Sequence, residues 1–155
     1  MIKLQKVHAH CDIPCKIYDP AIPQIAALSV VRLLDLIHEL ELDNEKEHLA
    51  EFTRLVNEKE AQAKLVKEEI RIIWGDYFKG PQIEKFPEIH HLTHTIMMTA
   101  SKCKQSLDRL NGINLVDEVN QFTEIFWATK EVETHKVIAP YPPSLEIIRP
   151  LLQSD

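Results

Sequence analysis

Hydrophobic residues recur at intervals of three and four along most of the chain, and this spacing predicts four amphipathic helices. The clearest apolar stripe comprises Leu49, Phe52, Val56, Ala63, Val66, Ile70, Ile73 and Tyr77. The predicted helices cover approximately residues 23–42, 45–78, 88–111 and 114–136. No segment shows the strict apolar–polar alternation that is typical of a half-buried strand. The pattern therefore predicts an all-α protein.

Residues that favour helix ends support these boundaries. Gly80-Pro81 is expected to end the second helix, and Asn111-Gly112 the third. Asn114 is predicted to cap the fourth helix. Because the connections are short, we expect an antiparallel four-helix bundle. The tail, residues 137–155, is rich in proline, and we expect an extended arm with at most one helical turn at residues 145–148.

Composition narrows the class of protein. The 155 residues carry a formal charge of −6 without a basic run, which argues against nucleic-acid binding. No uninterrupted apolar run approaches the roughly 18 residues of a membrane span. The first nine residues are too short and too polar for a secretory signal, so we expect a cytoplasmic protein that binds no membrane. The 3 cysteines do not make a disulfide framework.

The candidate chemistry lies ahead of the first helix, where His10, Cys11 and Cys15 fall within six residues. Imidazole and thiolates are ligands for zinc, copper and nickel. A structural zinc site is disfavoured, because it needs four protein ligands and the nearby chain offers no second Cys/His pair. From spacing alone, an incidental cysteine pair in an N-terminal arm explains the segment equally well.

Three motifs in order change this interpretation. HCDIPCKIYDP occupies residues 10–20, WGDYFKGPQIEKFPEIH residues 74–90 and IFWATK residues 125–130. Together they resemble the signatures of the nickel superoxide dismutases, and the first is similar to the family's N-terminal nickel hook. The resemblance implies a four-helix bundle that carries this metal-binding hook and assembles as a homohexamer. It also implies that superoxide is converted to oxygen and hydrogen peroxide.

The same resemblance implies how the metal is held. A protease would cut between Ala9 and His10, so that residues 1–9 are a leader and the bundle domain spans residues 10–136. One nickel ion per subunit would then be bound by the amine and imidazole of His10, the backbone nitrogen and thiolate of Cys11, and the thiolate of Cys15. A free α-amine, with a pKa of about 7.7–8.0, is a far better ligand than a peptide nitrogen.

Two tyrosines are the candidate catalytic residues. By resemblance, Tyr18 and Tyr77 line the open side of the metal and control the entry of small anions. Without the resemblance, Tyr18 is simply a turn residue and Tyr77 a core aromatic at a helix end. Lys16 and Lys79 could help to steer an anion, although solvated lysines are the simpler interpretation.

The chain also departs from the family pattern. Ala26 and Gln62 stand where well-known members carry a glutamate and an arginine that support the axial histidine. Joint loss is chemically coherent, because losing one partner alone would leave an unpaired charge. Our hypothesis is that His10 is held less firmly here. Two alternative functions therefore stay open: a non-catalytic nickel- or copper-binding relative, and a thiol redox protein that uses Cys11 and Cys15.

Overall fold

The computed structural model describes residues 16–41, 43 and 45–152. The leader and the predicted ligands His10, Cys11 and Cys15 lie outside these described residues. The helices are α1 (Ala21–Glu39), α2 (Lys46–Ile72), α3 (Gly80–Lys85), α4 (Ile89–Gln105) and α5 (Arg109–Thr129). Two strands follow, β1 (Thr134–Ile138) and β2 (Glu146–Pro150).

The predicted all-α bundle is confirmed, with α1, α2, α4 and α5 as its four helices. In this arrangement α1 packs against α2 and α5, and α4 packs against the same two helices. Each long helix buries an apolar stripe because residues three and four apart share one face. Residues that are fully or almost fully buried at the centre include Val30, Leu34, Val66, Ile70, Ile96, Ala100, Leu115, Val119 and Phe122.

The predicted boundary between the third and fourth helices is wrong. The third helix ends at Gln105, and α5 begins at Arg109. Its cap is Asp108, whose side chain accepts a hydrogen bond from the backbone N–H of Leu110 at 3.0 Å, and not Asn114. Gly112 lies inside α5 and does not end a helix. Because it has no side chain, α5 can approach α1 closely at this point.

The C-terminal prediction is also wrong. The last helix ends at Thr129, and the expected extended arm is an antiparallel hairpin that pairs Thr134 with Pro150 and Ile138 with Glu146. Ile147 and Ile148 are each 2% exposed. Burial of these β-branched side chains against the bundle favours a strand where we expected at most a helical turn.

One polar residue of α1 joins this hairpin to the bundle. Gln24 is 3% exposed, and its amide nitrogen donates to the carbonyl oxygen of Ile148 at 3.1 Å and to Asn120 Oδ1 at 3.0 Å. The Asn120 amide in turn donates to the carbonyl oxygen of Glu146 at 2.9 Å. These bonds fasten β2 across α1 and α5.

The apolar composition of helix α1 must be weighed against the expectation that the chain has no membrane span. Among the described residues, it is the one helix long and apolar enough to cross a membrane by length and composition. Half of that apolar stretch is buried inside the protein. The core helix of a bundle has the same composition, so the finding is weak evidence for membrane insertion.

Candidate functional site

A π-helical turn at the end of α2, Ile73–Tyr77, leads into the site. Such turns widen the backbone locally and are frequent at functional sites. Here the turn is followed by Phe78, which is 2% exposed in the core. The Tyr77 ring lies 5.3 Å from the Phe78 ring and 4.9 Å from the Phe126 ring, measured between centroids. The start of the second signature motif therefore forms an aromatic cluster against α5.

The structure brings the two predicted tyrosines together. The rings of Tyr18 and Tyr77 are 5.8 Å apart between centroids, with an interplanar angle of 51°. Both side chains are only partly buried. Because Tyr18 follows Cys15 by three residues, the chain between them spans at most about 11 Å. The tyrosine pair thus borders the predicted metal-binding segment.

The hydroxyl group of Tyr77 has a defined direction. It lies 2.6 Å from Thr129 Oγ1, and Thr129 Oγ1 donates to the carbonyl oxygen of Phe126 at 2.6 Å. A threonine hydroxyl has one proton, so Tyr77 must be the donor to Thr129. This bond holds the Tyr77 ring in a single orientation.

Lys130 lies over the same ring, and Lys79 follows Tyr77 by two residues in the chain. The ammonium group of Lys130 lies 4.8 Å from the centroid of Tyr77 and 5.2 Å from that of Phe126. Lys79 donates to the carbonyl oxygen of Gly75, inside the π-helical turn, at 2.8 Å. Sequence reasoning did not identify Thr129 and Lys130 as neighbours of the site, although both lie in the third signature motif.

Trp74 and His90 connect the two ends of the second signature motif. The indole N–H of Trp74 donates to Nδ1 of His90 at 3.1 Å, and the rings meet edge to face. His90 therefore carries its own proton on Nε2 when the ring is neutral. This contact supports a structural role for His90, although the His90 and His94 side chains are both exposed.

Ala26 and Gln62, the two predicted departures from the family pattern, lie in different environments. Ala26 is 1% exposed in the core of the bundle. The Gln62 amide donates to Glu58 Oε1 at 2.7 Å, one turn away on α2. Cys103 is fully buried, and burial raises the pKa of its thiol to about 12, as expected for an unreactive core cysteine.

Nickel is compatible with the donor types near this site. The segment ahead of Tyr18 offers one imidazole and two thiols within six residues. Thiolate and nitrogen donors suit nickel, whereas oxygen-rich sets suit magnesium or calcium. Among the residues that the structure describes, one cluster could hold a metal ion, formed by Asp43, Glu45 and His48. It is predominantly acidic and lies at the start of α2.

Known proteins match the whole of the bundle. The family described as nickel-containing superoxide dismutase matches residues 5–130. Superoxide dismutase [Ni] of Streptomyces coelicolor is 39% identical over 125 residues, covering 81% of this chain and 91% of that protein. Superoxide dismutase [Ni] of Streptomyces seoulensis is 38% identical over 126 residues, covering 81% of this chain and 92% of that protein.

Solved structures agree. A native nickel superoxide dismutase superposes with a TM-score of 0.69 at 36% identity, covering 78% of this chain and 99% of that one. A second structure, with nickel ligation corresponding to the oxidised state, gives a TM-score of 0.70 at 34% identity, covering 79% and 99%. The C-terminal hairpin lies beyond the part of the chain that the family matches. This chain belongs to the nickel-containing superoxide dismutase family.

Proposed function

We propose that this chain is a nickel-dependent superoxide dismutase, which converts two superoxide ions to oxygen and hydrogen peroxide. The family match over residues 5–130, which includes the hook motif, carries this proposal. The ring contact at 5.8 Å between Tyr77 and Tyr18, a residue of the hook motif, supports it.

His10, Cys11 and Cys15 would hold one nickel ion per subunit. When bound, nickel supplies the one-electron chemistry that alternately oxidises and reduces superoxide. Thiolate donors stabilise the higher oxidation state, while the amine and imidazole of His10 complete a nitrogen–sulfur set. Removal of residues 1–9 would be required, because only a free amine at His10 is a good ligand.

The tyrosine pair would control access. Because the Tyr77 hydroxyl donates to Thr129, its ring forms a fixed wall and its proton is held by a protein acceptor. The contact with Tyr18 connects this fixed ring to a residue of the hook motif. Restricted access would protect the metal-binding thiolates, which peroxide oxidises readily.

Assembly as a homohexamer in the cytoplasm completes the proposal. The subunit number rests on the resemblance alone. Three isoleucines near the start of α1 support burial against other subunits, because Ile17 is 81% exposed and Ile22 and Ile25 are each 49% exposed. The reducing cytoplasm would keep Cys11 and Cys15 as thiols. Light scattering of the processed, nickel-loaded protein would measure the number of subunits.

A comparison of two chains tests the function. One begins at His10 and the other carries a single additional residue before it; both are loaded with nickel. We expect superoxide decay and one nickel ion per chain only when His10 is N-terminal. Nickel binding without superoxide decay would indicate a non-catalytic relative. Equal activity of the two chains, or nickel-free thiol activity, would contradict the proposal.

A further inference from the structure

Lys130 stands at the C-terminal end of α5 with its ammonium group over two ring faces, those of Tyr77 at 4.8 Å and Phe126 at 5.2 Å. The residue is exposed. In the part of the chain that the structure describes, no carboxylate forms an ion pair with it. Ring faces attract a cation without neutralising its charge, so the ammonium stays available to an anion.

The Tyr77 ring beneath the Lys130 ammonium is held in a fixed position. Tyr77 cannot swing away easily, because its hydroxyl is bonded to Thr129 on the last turn of α5. The backbone carbonyls at the end of α5 also favour a cation at Lys130. A lysine held in this way loses less side-chain freedom on meeting an anion than a fully solvated lysine does.

Lys79, two residues after Tyr77 in the chain, is engaged differently. Its ammonium donates to the carbonyl oxygen of Gly75 at 2.8 Å, in the π-helical turn. One of its three N–H donors is therefore occupied by the backbone, which holds the ammonium at this turn and not over a ring. Of the two lysines, Lys130 is the one whose ammonium is held by rings alone among the described contacts.

We infer that Lys130 is a positioning residue that draws the superoxide anion to the Tyr18–Tyr77 face, an inference that rests on the proposed function. The ammonium lies over one ring of a pair whose other member is three residues from Cys15. A screening length of about 8 Å at physiological ionic strength exceeds the 4.8 Å between the ammonium and the Tyr77 ring, so the charge acts at the Tyr18–Tyr77 face. Steering of this kind accelerates association and weakens as salt is added.

The test uses nickel-loaded protein that begins at His10. Lys130→Met removes the charge and keeps an apolar stem, whereas Lys130→Arg keeps both the charge and the ring contact. Lys46→Met is the matched control, because Lys46 is exposed at the opposite end of α2, about 45 Å from Tyr77 by helix length. It removes the same charge far beyond the screening length.

We expect Lys130→Met to lower the second-order rate constant for superoxide by about threefold at low ionic strength, with the loss shrinking at high salt. Lys130→Arg should retain most of the rate, and Lys46→Met should match the wild type. Azide, an unreactive anion, should bind about threefold more weakly to Lys130→Met. Binding is followed through the NMR shifts of the Tyr77 ring protons.

Unchanged rate, salt dependence and azide affinity in folded Lys130→Met would overturn the inference. Thermal unfolding checks that the variant is folded. If Lys130→Met proves unstable, Lys130→Gln provides the same comparison with a polar side chain. An inactive wild type would instead refute the proposed function, and the azide titration would still decide whether Lys130 attracts an anion.

Discussion

The ammonium nitrogen of Lys59 lies 2.6 Å from the carbonyl oxygen of Cys103, and this contact explains why α4 ends where it does. Lys59 is 1% exposed and also donates to the carbonyl oxygens of Lys104 and Ser106, each at 3.0 Å. The last carbonyls of a helix lack partners within the helix and carry partial negative charge. A buried cation from α2 therefore completes the C-terminus of α4.

Lys59→Met should destabilise the fold, because methionine fills similar space but donates no hydrogen bond. Three carbonyl oxygens would lose their donor, and we expect a loss of about 2 kcal/mol in the free energy of unfolding. Urea denaturation measures this loss. The control is Lys64→Met on the same helix, where an exposed lysine pairs with Glu68 and should contribute less than about 0.5 kcal/mol. Equal effects of the two substitutions would refute this account.

Alanine substitutions at Gly112 and Gly75 should affect stability differently, because only Gly112 lies where α1 and α5 approach closely. A Cβ atom at Gly112 would lie 3.0 Å from Val31 Cγ2 and 3.1 Å from Leu34 Cδ1, both on buried side chains. Overpacking should outweigh the gain in helix propensity, so Gly112→Ala should cost about 1 kcal/mol. Gly75→Ala meets nothing within 4 Å and should be neutral or stabilising. Thermal unfolding of both variants checks the contrast.

The bond between Tyr77 and Thr129 should appear as a coupling energy. Tyr77→Phe removes the donor, Thr129→Val removes the acceptor, and the double variant removes both. We expect a coupling of about 1 kcal/mol in a double-mutant cycle of unfolding free energies. Additive losses would show that the hydroxyl contact at 2.6 Å contributes no stability of its own.

The partly buried carboxyl of Glu118 should make the stability of the fold depend on pH. Its Oε1 accepts from Thr99 at 2.8 Å, its Oε2 is buried without a partner among the described residues, and burial raises the pKa of the carboxyl above 4.5. At pH values between the pKa of Glu118 in the unfolded chain and its higher pKa in the folded protein, the folded protein binds more protons than the unfolded chain does. The contribution of Glu118 to stability therefore falls as pH rises. It is fully present below 4.5, the ordinary pKa of a glutamate carboxyl.

Glu118→Gln should therefore stabilise the fold at pH 7, where the wild type carries a poorly solvated charge. The advantage over the wild type should disappear at pH 4, where Glu118 is protonated in the folded state. Denaturation at both pH values measures the difference. Asp117→Asn, at the exposed neighbouring position, should show no such gain.

Much of this architecture was predictable from local pattern. The apolar spacing predicted α1, α2, α4 and α5, because helix periodicity reports which face is buried. The resemblance of residues 10–20, 74–90 and 125–130 predicted the family, and the family match confirms it. It also singled out Tyr18 and Tyr77, which the structure brings into contact. Their catalytic role, like the ligand set at His10, Cys11 and Cys15, remains a prediction.

The errors occurred where distant residues decide local structure. Asn111-Gly112 looked like a helix end, yet Gly112 serves the packing of α5 on α1, and α4 ends earlier because Lys59 reaches its carbonyls. The C-terminal hairpin depends on Gln24, more than a hundred residues away.

The sequence by itself therefore determined the helical class, the family and the residues expected to bind nickel, since each of these depends on short segments of the chain. Only the tertiary structure decided the helix ends, the hairpin and the position of Lys130 over Tyr77. The physical reason is that a buried polar group or a helix end must be satisfied by whichever chain segment folding brings beside it.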